Sequence, residues 1–344
     1  MKKIGFSILL AAIMVSGCQT SKPTLKVFSW GAYIDDNVIS RFEKENDCIV
    51  IYDMFESNEA MYTKLLSQES YDVLVPSDYM VQRLIQEELL RPLDLSLISN
   101  ESGIISGLLN QEFDPNNTYS LPYFWGNVGL MYNTKNVSIE DIKNEGWEIL
   151  RDTEYKGKIY FYDSERDAFM VALKALSYST NTTSPIQLEK AFEWLKVLNN
   201  TMAPVYAADD IIDNMIQGNK DIAMVYSGDA AYIITQNPDM AYYVPKQGTN
   251  LWIDNMVISK KTKEITLANQ WINYMLDPEI AKLNSEFVGY SSPIQSVYDE
   301  LAQTVYAGNN AYTPRIGYSL DEVFKYDETV KRIISEQWLK IKAQ

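Results

Sequence analysis

The sequence predicts an α/β protein of two lobes, each a mostly parallel sheet with flanking helices. Three observations carry this. The chain holds 344 residues, beyond the size at which one hydrophobic core usually keeps growing. A β-α-β-α-β alternation occupies residues 25–75, and a second series begins near Lys158. Neither series carries a G-x-G-x-x-G or G-x-x-x-x-G-K-[ST] loop, so neither reads as a nucleotide-binding unit.

The elements follow in order. Lys2 and Lys3 precede an apolar stretch, Ile4 to Val15, and then Ser16-Gly17-Cys18. That stretch is too short to span a bilayer and reads as a signal peptide over residues 1–17. Val15-Ser-Gly-Cys18 resembles a bacterial lipobox, with Cys18 lipidated and residues 18–24 a polar tether. Leu25–Phe28 is a strand, Asp36 caps a helix with Val38, Ile39 and Phe42 on one face, and Cys48–Tyr52 is a second strand. Ser57 caps the next helix, and Asp72–Val75 is a third strand. A loop-rich region, residues 100–119, leads to a strand near Val128–Tyr132. The second series places strands at 159–162, 203–206, 222–226 and 242–244, and helices at 168–176 and 188–198. A strand at 252–258 precedes a helical tail, residues 265–287 with a break at Asp277-Pro278, and again from Asp321 onward.

Composition narrows the chemistry. The chain has no His, the commonest general base and metal ligand. With Cys18 modified, Cys48 is left as the only free thiol, and neither Cys sits in a paired metal spacing. No metal or other cofactor is implied. The net charge of −16 opposes nucleic-acid binding and favours cationic ligands by steering. The 24 Tyr and 7 Trp exceed what cores alone require, leaving aromatics to build a site.

In open α/β sheets, ligands bind outside the carboxyl ends of strands. The residues there are Trp30 and Tyr33 after the first strand, Ser77 and Tyr79 after the third, and Asp163, Ser164, Arg166 and Asp167 after residues 159–162. Tyr226 and Asp229 follow residues 222–225. Trp252 and Asp254 begin a late strand, and Tyr290 follows a late helix. Aromatic faces bury methylenes and attract cations, and carboxylates accept charge-assisted hydrogen bonds from ammonium groups. The set suits an alkyl chain bearing amines. Asp167 and Asp229 also sit where a helix dipole favours an acid, whereas Asp254 is an acid inside an apolar strand, where Asp is disfavoured.

At these residues the chain resembles the spermidine/putrescine-binding proteins of ABC transporters, of the type II periplasmic-binding-protein fold. The resemblance runs from about residue 25 to 300. It is carried by Phe28-Ser-Trp-Gly-Ala-Tyr33, Phe55-Glu-Ser-Asn-Glu-Ala-Met-Tyr62, Tyr71-Asp-Val-Leu-Val-Pro-Ser-Asp-Tyr79, Tyr155-Lys-Gly157, Leu251-Trp-Ile-Asp254 and Gly289-Tyr290. Its longest match is Phe113-Asp-Pro-Asn-Asn-Thr-Tyr-Ser-Leu-Pro-Tyr-Phe-Trp-Gly126. The resemblance implies a ligand cleft between two lobes, 25–128 with 250–296 and 129–249 with 297–344. It implies hinges near 125–131 and 244–252. Aromatic walls would come from Trp30, Tyr33, Tyr79, Tyr226, Trp252 and Tyr290, and amine-binding acids from Asp167, Asp229 and Asp254, with Ser77 assisting. Asp229 and the presence of Ser164 where some relatives carry an acid lean towards putrescine over spermidine. The expected protein is a monomeric, lipid-anchored periplasmic or cell-surface carrier, not an enzyme, that serves a permease. The rival expectation is the same fold with another ligand: an amino-acid derivative, a sugar or an iron chelate. A carboxylate ligand would want an Arg, and only Arg166 is placed for it, among acids.

Overall fold

One long strand organises the molecule. The computed structural model describes residues 22–67, 69–208 and 210–343. The signal stretch, Cys18 and the first part of the tether lie outside the described residues.

The chain opens with β1 (Thr24–Trp30), α1 (Asp36–Asn46), β2 (Ile49–Phe55), α2 (Asn58–Leu66), β3 (Val73–Leu74) and α3 (Asp78–Gln86). β1 pairs in parallel with both β2 and β3, as the alternation predicted. Asp35 rather than Asp36 caps α1: its carboxylate accepts from the Asn37 backbone N–H at 2.8 Å. Asp36 falls one residue inside, in the dipole-favoured first turn. Val38 and Phe42, one helical turn apart, face the core. Ser57 caps α2, accepting from Ala60 N at 3.1 Å.

β4 (Leu90–Arg91) is short, and the loop-rich stretch after it ends on a buried acid. Asp114 accepts from the backbone N–H groups of Thr118, Tyr119 and Ser120 at 3.2, 2.9 and 2.8 Å. These bonds satisfy the turn that launches β5 (Ser120–Asn133). Nearly all of β5 is buried, which is why it reads as a continuous apolar run. Its two halves have different partners, as the second lobe shows.

That lobe contains α4 (Ile139–Glu145), β6 (Ile159–Tyr162), α5 (Glu165–Ala175), α6 (Pro185–Met202), β7 (Val205–Ala207), α7 (Asp210–Ile216), β8 (Ile222–Tyr226), α8 (Ser227–Gln236) and β9 (Met240–Tyr243). β6 lies parallel between β7 and β8. α5 starts earlier than the predicted Ala168 because Ser164 supplies a cap. α6 starts at Pro185, whose missing N–H costs nothing in a first turn. β10 (Leu251–Ser259) returns the chain to the first sheet half, antiparallel to β3, β4 and β5. Ser120–Asn127 of β5 pairs with β10, and Val128–Asn133 pairs with β8 and β9. A single strand therefore passes from one lobe into the other.

α9 (Ile265–Met275) and α10 (Pro278–Val288) are split at Asp277-Pro278, as predicted. α11 (Gln295–Gln303) follows, and α12 (Glu328–Lys342) closes the chain. The last helix begins at Glu328, not at Asp321. Asp321 instead accepts from Arg315 and, at 3.0 Å, from Thr249 N. Asp327 caps the helix in its place. Each lobe keeps a parallel three-strand core, with β5 and β10 joined antiparallel between them, β4 pairing with β10 and β9 with β5.

Candidate ligand-binding site

The carboxyl ends of β1, β3, β6 and β8 bring the predicted residues together. After β1 the chain turns through Gly31 and Ala32, and Ala32 is left-handed at φ 51°. That conformation costs a non-glycine residue about 1–2 kcal/mol, and here it drives Tyr33 inward beneath the sheet end. The Tyr33 hydroxyl donates to Asp254 Oδ2 at 2.5 Å. Ser77 donates to Asp254 Oδ1 at 2.6 Å. Ser77 is the N-cap residue of α3, yet its side chain makes no cap bond. A serine diverted from capping to a carboxylate marks this as a built site rather than a helix start.

The placement of Asp254 has a backbone cause. The β5–β10 register slips between Asp254, which faces Phe124, and Asn255, which faces Pro122. Pro122 has no N–H to give the ladder, and the bulge re-aims the neighbouring side chain. The acid disfavoured in a regular strand thus sits at an irregularity. Its burial pushes the carboxyl up to about 6, against the opposing pull of the Ser77 and Tyr33 hydroxyls.

Two further acids repeat the pattern of a carboxylate held by a phenol. Asp167, in the first turn of α5, accepts from Tyr226 and Ser164 at 2.7 Å each, both on Oδ2. Its Oδ1 is buried with no hydrogen-bond partner; Asn250 stands near without closing a bond. Burial raises this carboxyl, opposed by the Tyr226 and Ser164 bonds. Asp229, in the first turn of α8, accepts from Tyr290 at 2.8 Å. The three phenols lie well above their ordinary range, chiefly through burial and then through the adjacent carboxylate. They stay neutral donors.

The rings connect these acids. Tyr33 meets Tyr290 edge-on at 5.7 Å, Tyr290 meets Trp252 at 5.3 Å, and Trp252 meets Tyr226 edge-on at 6.1 Å. Two glycines make the approach possible. A Cβ at Gly126 would lie 2.5 Å from the Trp252 ring, and one at Gly228 would lie 1.6 Å from Tyr290. Trp30 stands at the end of β1 with its ring against Phe55 at 4.6 Å. Tyr79 is held by Asn58, which donates to both Tyr79 and Ser77 at 3.1 Å. The outer face of the Tyr79 ring is covered by the Arg166 guanidinium at 3.8 Å.

Asn58 is a site-organising residue that sequence reading missed. It also accepts from Ser77 N at 3.1 Å. The available signal was a buried-type position in a helix's first turn occupied by Asn. Asp78, between Ser77 and Tyr79, is 1 % exposed but faces backbone, accepting from Tyr79 N and Ile253 N. Burial raises it to about 8, against those two bonds. Among the described residues no cluster of acids, Cys and His could hold a metal ion, and no described helix is long and apolar enough to cross a membrane.

Comparison with known proteins places this architecture. The bacterial extracellular solute-binding protein family matches residues 37–311. A spermidine/putrescine-binding periplasmic protein of Escherichia coli is 33% identical over 299 residues, 85% of each chain. A putrescine/cadaverine-binding protein of Pseudomonas aeruginosa is 31% identical, again over 85% of each chain. Among solved structures, a spermidine/putrescine ABC-transporter substrate-binding protein of Streptococcus pneumoniae superposes with a TM-score of 0.81 at 37% identity, covering 93% of this chain and 99% of that one. A putative spermidine/putrescine ABC transporter from Listeria monocytogenes gives 0.84 at 36% identity, covering 93% and 98%. The chain therefore belongs to the bacterial extracellular solute-binding proteins, two-lobed binding components of transport rather than enzymes, among relatives named for spermidine and putrescine.

Proposed function

We propose that this chain captures a polyamine, putrescine in preference to spermidine, and delivers it to an ABC-transporter permease. The observation that carries the reading is the threefold repeat of a buried carboxylate held by a phenol: Asp254 with Tyr33, Asp167 with Tyr226, and Asp229 with Tyr290. The phenols orient the acids, and the linked rings of Trp252 and Tyr290 offer apolar faces for methylenes. The helix N-termini beneath Asp167 and Asp229 present the positive ends of their dipoles to both acids. The putrescine preference is supported by Ser164, whose hydroxyl is spent on Asp167 and offers no charge to a third amine.

In this reading residues 25–128 with 250–296 close on 129–249 with 297–344, hinging near 125–131 and 244–252. The chain acts as a monomer outside the cytoplasmic membrane, tethered through a lipid on Cys18. Calorimetry with putrescine, cadaverine, spermidine, spermine and agmatine tests the ligand class. Micromolar or tighter binding of putrescine, with spermidine weaker, is expected. No heat from any of the five, or tight binding of a carboxylate or sugar instead, overturns it. Lipidation is read by metabolic labelling with an alkyne fatty acid. Label retained in Cys18→Ser rules out this anchor.

A further inference from the structure

We propose that Arg166 and Tyr326 latch the second lobe onto one face of α3 and set affinity without themselves touching the ligand. The inference rests on the polyamine-binding reading above. Tyr79, Gln82 and Arg83 are spaced i, i+3, i+4 and so share one face of a first-lobe helix. Every one of them is engaged by the second lobe. Arg166, in the first turn of α5, lies 3.8 Å over the Tyr79 ring and 5.5 Å from that of Phe324. Gln82 Oε1 accepts from Tyr326 N at 2.7 Å. Arg83 is sandwiched between Tyr62 at 3.7 Å and Tyr326 at 4.9 Å. Gln82, Arg166, Phe324 and Tyr326 also line one continuous cavity.

The segment that reaches across is anchored behind. Glu322 exchanges backbone bonds with Thr249 and Leu251 and forms an ion pair with buried Lys174. Thr180 N donates to Glu322 at 2.8 Å, Asn181 donates to Val323 O at 2.9 Å, and Lys325 N donates to Asn181 at 2.8 Å. Tyr326 is therefore carried by the second lobe and ends on the first, while Phe324 backs Arg166. The rim ion pair Lys325–Glu112 continues the line, but both side chains are more than half exposed and it contributes little. Arg166 also directly precedes the buried acid Asp167 on the chain. A ligand that draws Asp167 into place brings Arg166 onto Tyr79 with it.

Contacts made only in the closed state raise the closed fraction, and apparent affinity scales with that fraction whatever the ligand. They form after encounter, so they act on release rather than capture. The test is Arg166→Ala, Tyr326→Ala and the double variant, each measured by calorimetry, release kinetics and small-angle scattering, with ligand-free thermal unfolding as a folding control. Each single change is expected to weaken putrescine and spermidine by the same factor, about two- to thirtyfold, the range for one cation–aromatic contact. Release speeds up by that factor and association does not change. The ligand-free double variant is expected to show a larger radius of gyration. Unchanged affinity in a folded variant, a loss confined to one amine, or slower association overturns the latch. Should the native chain bind neither amine, the polyamine reading falls, and an unchanged radius in the double variant then overturns the latch separately. Gln82→Ala, which removes the acceptor for Tyr326 N, serves if Arg166→Ala does not fold.

Discussion

Replacing Asp254 by Asn should separate binding from folding. The carboxylate takes the hydroxyls of Tyr33 and Ser77 at 2.5 and 2.6 Å, yet burial still moves it from 3.8 to about 6. At pH 7 that displacement weighs against the ionised form in the folded chain by about 3 kcal/mol. Asn preserves the shape and one acceptor, removes the charge, and gives up one hydrogen bond of about 1 kcal/mol. The ligand-free variant should therefore match the native chain in stability or exceed it by about 2 kcal/mol. Binding goes the other way. An ammonium that loses a buried charge partner gives up about 2–5 kcal/mol, a loss of about thirtyfold to several thousandfold in affinity. Putrescine calorimetry at pH 7.5 and thermal unfolding without ligand read the two quantities. An affinity within threefold of native refutes the assignment of Asp254 to an amine. A lost affinity accompanied by destabilisation refutes the separation, because the acid would then be a structural group.

Four further outcomes follow from the same geometry. Putrescine affinity should hold above about pH 7 and fall about tenfold per pH unit below about 6, since Asp254 must be ionised to pair; a titration flat from pH 7 to 5 refutes this. The ligand-free protein has the opposite sign at this group: a raised carboxyl contributes stability that is full below 3.8 and is lost as pH rises through about 6. Gly228→Ala places a Cβ 1.6 Å from Tyr290, so the ring must move off Asp229, with an overpacking cost of about 1–3 kcal/mol by denaturant melt and weaker amine binding. Lys174→Met leaves Glu322 without its buried cation and should destabilise the chain by about 3–5 kcal/mol, measured by chemical denaturation.

Much of this fold was legible in the sequence because its signals are local. The β1–α1–β2–α2–β3 run, the Ser57 cap and the break at Asp277-Pro278 depend on residues within one or two turns of each other. So do the positions after strand ends, and reading them was enough to nominate Tyr33, Ser77, Asp167, Tyr226, Asp229, Asp254 and Tyr290. Where the expectation slipped, a distant partner intervened. Asp321 resembles a helix cap but is taken by Arg315 and Thr249 N, so the tail helix waits for Asp327.

What the sequence determined by itself was the chemistry: acids and aromatics without His, set at the carboxyl ends of an α/β chain. What only the tertiary structure decided was the pairing. Tyr33 reaches Asp254 across 221 residues, Tyr226 reaches Asp167 across 59, and Tyr290 reaches Asp229 across 61. The bulge beside Pro122 and the bare backbone of Gly228 make those approaches possible. The covering of Tyr79 by Arg166 was equally out of reach. Hydrogen bonds and ring contacts act over a few ångströms of space, and no local pattern in the chain encodes which distant residues will share it.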